Sequence, residues 1–284
     1  MKKYPITALC AAILHIHGCS HYSKISTGSV ENLEILLVQD AKGRSVPVKT
    51  KAAWYQKRLQ ILENMQFGMG VLPRQNGLPG FNLQYTDSLP GNNYMRYSIN
   101  FLVAENERVT AYLYVPDNLK PAKKYAAMLA LHETDSLGKG SVDGQGDNKN
   151  LAYAKELAQR GYIVIAPDYP SFGDMQVYDF DKDRYQSGTM KGIFDHIRCV
   201  DFLQSMPNVD AENIGVIGHS LGGHNSIFVG AFDTRLKIVV SSCGWTPFDY
   251  YNNGEESIQK YGAKLGPWAI PRYMPLLRER YDLD

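Results

Sequence analysis

Gly218-His219-Ser220-Leu221-Gly222 is the stretch of this chain whose residue types and spacing point most directly to chemistry. The pattern G-x-S-x-G displays a serine hydroxyl at a sharp turn between a strand and a helix. Such a hydroxyl becomes a strong nucleophile when a neighbouring base takes its proton. Attack on an acyl carbon creates an oxyanion, which backbone N–H groups stabilise. Leu221, the residue after the serine, is the expected first donor. Gly218 and Gly222 remove the Cβ atoms that would collide at the turn, and Gly223 lets the helix approach the sheet. The turn needs partners. The second oxyanion donor is expected in "HETDSLGKG", the loop that begins at His132, from the N–H of Glu133 or Thr134. His132 is expected to hold that loop by hydrogen bonds. "PDYPSFGDM" (167–175) is expected to line the pocket mouth, with Asp168, Tyr169 and Asp174 facing substrate or, equally, forming a rigid loop around Pro167 and Pro170.

A base is harder to find. The seven histidines are His15, His17, His21, His132, His196, His219 and His224, and none lies in the last 60 residues. His219 is expected to point away from Ser220. His224 stands one helical turn beyond the serine and reads as packing; His196 reads as remote. Asp249 is the one in-chain candidate for a triad acid, with a solvated loop aspartate as the alternative.

These residues must be positioned by regular elements, and the pattern supplies them from residue 94 onward. "YMRYSINFLV" and "RVTAYLYVP" read as a hairpin around "AENE". "YAAMLALH" (125–132), "IVIAPDY" (163–169), "IGVIG" (214–218) and "LKIVVSSC" (236–243) read as strands. "NLAYAKELAQRGY" (150–162), "GTMKGIFDHIRCVDFLQSM" (188–206) and "GGHNSIFVGAFD" (222–233) read as helices. Strands alternating with helices at this spacing imply a mostly parallel sheet with flanking helices, an α/β class. Upstream, residues 51–66 form an amphipathic helix through Trp54, Leu59, Leu62 and Met65. Residues 67–92 are rich in Gly, Pro and Asn and read as loop. Residues 20–92 are therefore an N-terminal extension, and 93–284 the main domain.

Composition narrows the partners. Apolar residues make up 44% of 284, enough for a sizeable core. The formal net charge of +1, with no long basic run, argues against a nucleic-acid surface. No clustered His/Cys/Asp ligand set implies a metal, and no motif implies an organic cofactor. Lys2, Lys3, the apolar run "ITALCAAIL" and Gly18-Cys19 read as an export signal over residues 1–19. Gly18-Cys19 is similar to a lipobox, with Cys19 the lipidated residue and the lipid a membrane anchor. Cys199 and Cys243 are expected to be two buried thiols, with pairing in an oxidising compartment the alternative.

"LALHETDSLGKG", "ELAQRGYIVIAPDYPSFGD", "IGVIGHSLGGHNSIFVGAFD" and "VVSSCGW" resemble exported bacterial α/β-hydrolases related to dienelactone hydrolases, acetyl-xylan-esterase-type enzymes and the catalytic domain of prolyl oligopeptidases. The likeness covers roughly residues 50–250. It implies an α/β-hydrolase fold with eight strands, a Ser–acid–His triad in that chain order, and Ser220 as nucleophile. The strand at 236–243 is the sixth in that scheme, and 41 residues follow Cys243. Those residues show no apolar strand run. The last two strands and the histidine loop are therefore expected to be missing, against about 80–100 further residues in a complete domain. The resemblance implies hydrolysis of a small-molecule or carbohydrate ester through acyl-Ser220, impaired here for want of a base. A silent ligand-binding envelope protein and a serine peptidase are the alternatives.

Overall fold

The computed structural model describes residues 36–245 and 273–280. Residues 1–19, read above as an export signal with Cys19, and Asp249 lie outside the described residues. The chain divides into two units that meet between Lys57 and Arg58. In the first, β1 (Leu37–Gln39) and β2 (Ser45–Pro47) pair antiparallel, Val38 opposite Val46. Helix α1 (Lys51–Met69) crosses the boundary. Thr50 Oγ1 accepts from the Ala53 N–H at 3.1 Å, satisfying a donor that the first helical turn leaves free. Trp54, expected on the inward face, is exposed, whereas Leu59 and Leu62 are half-buried and Met65 packs against the core of the second unit.

The second unit is a sheet flanked by helices. Its strands are β3 (Gln84–Pro90), β4 (Tyr94–Ala104), β5 (Glu107–Pro116), β6 (Tyr125–Leu131), β7 (Ile163–Pro167), β8 (Val209–His219) and β9 (Leu236–Ser242). Among the described residues they lie in the order β3-β4-β5-β7-β6-β8-β9. The β3-β4-β5 meander joins β7 antiparallel, and β7, β6, β8 and β9 run parallel. Successive parallel strands are joined by crossovers containing α2 (Lys139–Val142) with α3 (Tyr153–Gln159), then α4 (Gly188–Ser205), then α5 (Leu221–Phe232). A last described helix, α6, spans Leu276–Arg280.

Local chemistry explains most of these boundaries. β7 is buried at every position and β6 is buried from Ala127 on, as befits parallel strands covered on both faces. Ser187 caps α4 by accepting from the Met190 N–H at 3.0 Å, and the helix stops before Pro207. The chain leaves α3 through Gly161 at φ +91°, a conformation a side chain would resist.

One expectation is corrected. Residues 67–92 are not all loop, because β3 adds an edge strand to β4. All its positions are exposed, and it carries a register shift between Tyr85 and Asp87 and ends at Pro90. Backbone pairing, with the Tyr85 ring edge-on to Tyr97 and the Thr86 hydroxyl donating to Ser98 O, holds this edge, so no apolar alternation marks it. The cysteine expectation is corrected too: Cys199 is buried, but Cys243 is exposed, and both are free thiols.

The strand order reverses beside β6. The chain passes from β6 outward to β7, then returns across β6 to β8 on its other side. Such a switch point opens a crevice at the carboxyl ends of the two strands. Leu131 lies opposite Gly218 there, and Ser242 of β9 opposite His219.

Candidate active site

Ser220 stands at those carboxyl ends, between the last residue of β8 and the first of α5. It is exposed, and its backbone has φ 51° and ψ −116°. A non-glycine residue in that region costs of order 1–3 kcal/mol and persists only when its surroundings impose it. The constraints are visible. The Ser220 N–H donates to Ser242 O at 2.8 Å, and the His224 N–H donates to Ser220 O at 2.9 Å. A Cβ on Gly218 would lie 2.2 Å from the carbonyl of Gly222. A Cβ on Gly222 would lie 1.9 Å from Leu131 O. The two glycines thus let β8, α5 and the end of β6 touch backbone to backbone. Leu221 opens α5, so its N–H belongs to the first turn and has no carbonyl within the helix. The helix dipole adds partial positive charge at the same place.

The loop after β6 is pressed against this turn, since the would-be Cβ of Gly222 also falls 2.8 Å from His132 O. His132 is buried, with Nδ1 2.6 Å from Glu133 O and Nε2 accepting the Tyr169 N–H at 2.9 Å. A carbonyl and an N–H as partners require the proton on Nδ1. Glu133 O also accepts from the Asp135 N–H at 2.9 Å, so that carbonyl faces into the loop. The Thr134 N–H shares its trans peptide and points the opposite way. Glu133 itself is buried, and its Oε2 has no hydrogen-bond partner among the described residues.

The described histidines make the following contacts, with groups other than the Ser220 hydroxyl. His132 has both ring nitrogens engaged, and burial holds its pKa below the usual range. His196, on α4, is lowered to about 3, chiefly by burial and then by the nearby His132. His224 is buried with its ring edge-on to Phe228 at 4.1 Å, and burial lowers it to about 3. His219 Nδ1 turns to Ser242 Oγ at 3.1 Å. Asp249 lies outside the described residues.

The loop after β7 departs from expectation. Asp168 does not face a pocket: it is 1% exposed. Its carboxylate accepts from Thr110 Oγ1 at 2.6 Å, the Lys139 N–H at 2.9 Å, the Asp174 N–H at 3.1 Å and the Lys139 ammonium. Tyr169 is also buried and packs with Phe172, Leu221 and Tyr273, so it supports the turn from behind. Asp174 is largely exposed and receives Lys139 Nζ at 2.6 Å. Lys139 and Tyr273 escaped the sequence reading. A lysine in a Gly-rich loop looks solvated, and no local signal brings residue 273 beside residue 169. Among the described residues no cluster of three His, Cys, Asp or Glu side chains is arranged to hold a metal.

Strand order, elbow and covering helices meet a family match: residues 148–283 fit the model of the "Alpha/beta hydrolase family". The fold is that of an α/β-hydrolase. Relatives agree with it. YtaP of Bacillus subtilis (strain 168), which carries the name of a hydrolase, is 32% identical over 108 residues, 36% of this chain and 36% of its own length. The carbohydrate esterase MZ0003, from an unknown prokaryotic organism, is 33% identical over 120 residues, 38% of this chain and 27% of its own. Among solved structures, the glucuronoyl esterase of Solibacter usitatus superposes with a TM-score of 0.52 at 18% identity, covering 72% of this chain and 61% of its own. The matched stretches thus span about a third of these curated relatives' length. The α/β-hydrolase scheme accounts for β4 to β9 in order, with β3 added at the outer edge. No described helix is long and apolar enough to cross a membrane.

Proposed function

We propose that this α/β-hydrolase acts on carboxylic esters through an acyl-Ser220 intermediate. The observation that carries the reading is Ser220 itself, exposed and held at φ 51° at the head of α5. In acylation, Oγ bonds to the acyl carbon, the alcohol oxygen leaves, and the serine proton passes to a base. The N–H of Leu221 and one from the Glu133–Thr134 turn receive the oxyanion. Water then releases the acid and restores the serine. Relatives named as a carbohydrate esterase and a glucuronoyl esterase support a carbohydrate ester as substrate. Because no described histidine is free to act on Ser220, the chain by itself should be slow, with catalysis of order 10³–10⁴-fold over water from binding and the oxyanion hole.

The test compares aryl acetate hydrolysis by this chain and by Ser220→Ala, with and without added imidazole as an external base. Low, nearly equal rates without imidazole, and a Ser220-dependent increment with it, are expected. Fast Ser220-dependent turnover without imidazole overturns the claim of a missing base. No Ser220 dependence under either condition overturns the nucleophile, and favours a ligand-binding role for the crevice.

A further inference from the structure

Two loops border the crevice at the ends of β6 and β7, and one buried ion pair ties them together. On the acyl-Ser220 reading, the loop after β6 supplies the second oxyanion donor. It is joined to the loop after β7 by the Tyr169 N–H to His132 Nε2 at 2.9 Å and the Gly173 N–H to Ser136 O at 3.2 Å. Asp168 sits between them. It draws on the Thr110 hydroxyl from β5, the Lys139 N–H and ammonium from the start of α2, and the Asp174 N–H. Both loops close upon it without room to spare: a Cβ on Gly138 would lie 2.3 Å from Asp168 Oδ1, and one on Gly173 2.0 Å from it. The Asp168 side chain is 0% exposed and that of Lys139 3%. A buried carboxylate with four donors and a buried counter-charge is a stiff joint: loss of Lys139 leaves the Asp168 charge uncompensated in the interior, and loss of Asp168 leaves the ammonium with the largely exposed Asp174 alone.

This joint has a position that a general stabiliser would not need. The 132–138 loop has the nucleophile turn on one side, where Gly222 meets Leu131 O and His132 O, and Asp168 on the other. Its height relative to Ser220 is therefore set from both sides.

We propose that Asp168, with Lys139, is the positioning residue of the oxyanion hole, fixing the Glu133–Thr134 turn at the height the developing oxyanion requires. The proposal rests on the acyl-Ser220 reading. Asp168 touches neither substrate nor Ser220; it acts through the loop. Its loss should weaken hydrogen bonding to the oxyanion more than binding of the ester.

The test uses Asp168→Asn, which keeps the shape and removes the charge, and Lys139→Met, which keeps the apolar stem. The readout is the Ser220-dependent, imidazole-supported acylation rate for an aryl acetate and for its thionoacetate, each corrected by Ser220→Ala. In both reactions Oγ–C forms, the aryloxide leaves and imidazole takes the proton. Sulfur is a poor hydrogen-bond acceptor, so the thionoester draws little on the oxyanion hole. Asp168→Asn should lower kcat for the oxoester by about tenfold or more, with KM nearly unchanged, and lower the thionoester rate by less than about twofold. The ratio of the two rates thus collapses. A folded variant whose ratio equals that of the parent overturns the proposal, as does an equal fall in both rates, the mark of lost folded protein. Should Asp168→Asn fail to fold, Lys139→Met must show the same collapse in ratio or the proposal fails. If the parent shows no Ser220-dependent acylation, the nucleophile reading fails and takes the proposal with it. A parent with Ser220-dependent acylation and an unmoved ratio in the variants leaves that reading standing and removes this one alone.

Discussion

Substituting Gly222 by alanine probes the contact on which the whole turn depends. The added Cβ would lie 1.9 Å from Leu131 O and 2.8 Å from His132 O, both backbone atoms. Ordinary non-bonded contacts of this kind begin at roughly 3.5 Å, so the head of α5 and the end of β6 must part by more than 1 Å or so. Overpacking of this type costs about 1–3 kcal/mol, visible in urea as a lower midpoint at unchanged slope. The displaced head carries Ser220 and the Leu221 N–H, and a misplacement of about 1 Å costs up to ~100-fold in rate. Gly222→Ala should therefore lose both stability and nearly all Ser220-dependent, imidazole-supported hydrolysis of aryl acetate. Gly230→Ala, further along α5, is the comparison. The three atoms nearest its Cβ all belong to the side chain of Val239, Cγ2 foremost at 2.5 Å, and that residue is 43% exposed rather than locked in backbone. Alanine also improves helix propensity there by up to about 1 kcal/mol, so stability and rate should stay near the parent's. If Gly222→Ala melts like the parent, the close backbone approach is refuted. If it is destabilised yet keeps the parent's rate, the turn does not set the geometry of catalysis.

Two further outcomes follow from burial. His196 and His224 are lowered to about 3 against an ordinary 6.5, so between those pH values the unfolded chain binds more protons and stability falls as pH falls. Asp195, raised to about 6 by burial, and Asp183, also raised by burial, work in the opposite direction and lose stability as pH rises above 3.8, while His132, lowered by burial, acts with the two histidines. The melting temperature should drop from pH 7 to pH 4, and drop less steeply in His224→Leu; a flat profile would contradict the buried neutral histidines. On β9, Ile238, Val239 and Val240 are exposed, with Trp245 just beyond. A strand that presents apolar side chains in this way invites pairing with other chains. The protein should bind a hydrophobic dye and aggregate, and Ile238→Lys should reduce both; a dye-silent, monomeric parent would show that this surface is covered.

What the sequence determined by itself was everything written locally. The turn at Ser220 announces itself because glycines flank the serine where the strand must become a helix. Six strands of the main sheet were legible because runs such as "IVIAP" and "YAAMLAL" are apolar and end at loop residues. β3 was not, because an exposed edge strand is held by backbone bonds to β4 and needs no apolar pattern. The tertiary structure decided the rest. Asp168 and Lys139 are charged residues in polar loops, and local sequence gives such residues to solvent. They are buried because the order β7-β6-β8 brings the ends of two strands together and closes their loops on a single ion pair. Tyr273 reaches Tyr169 across more than a hundred residues, with ring centres 6.2 Å apart. His132 could be named from the sequence, but its tautomer could not: that depends on a carbonyl from its own loop and an N–H from the next. Burial and pairing across loops are properties of strand order, which spacing along the chain constrains but does not specify.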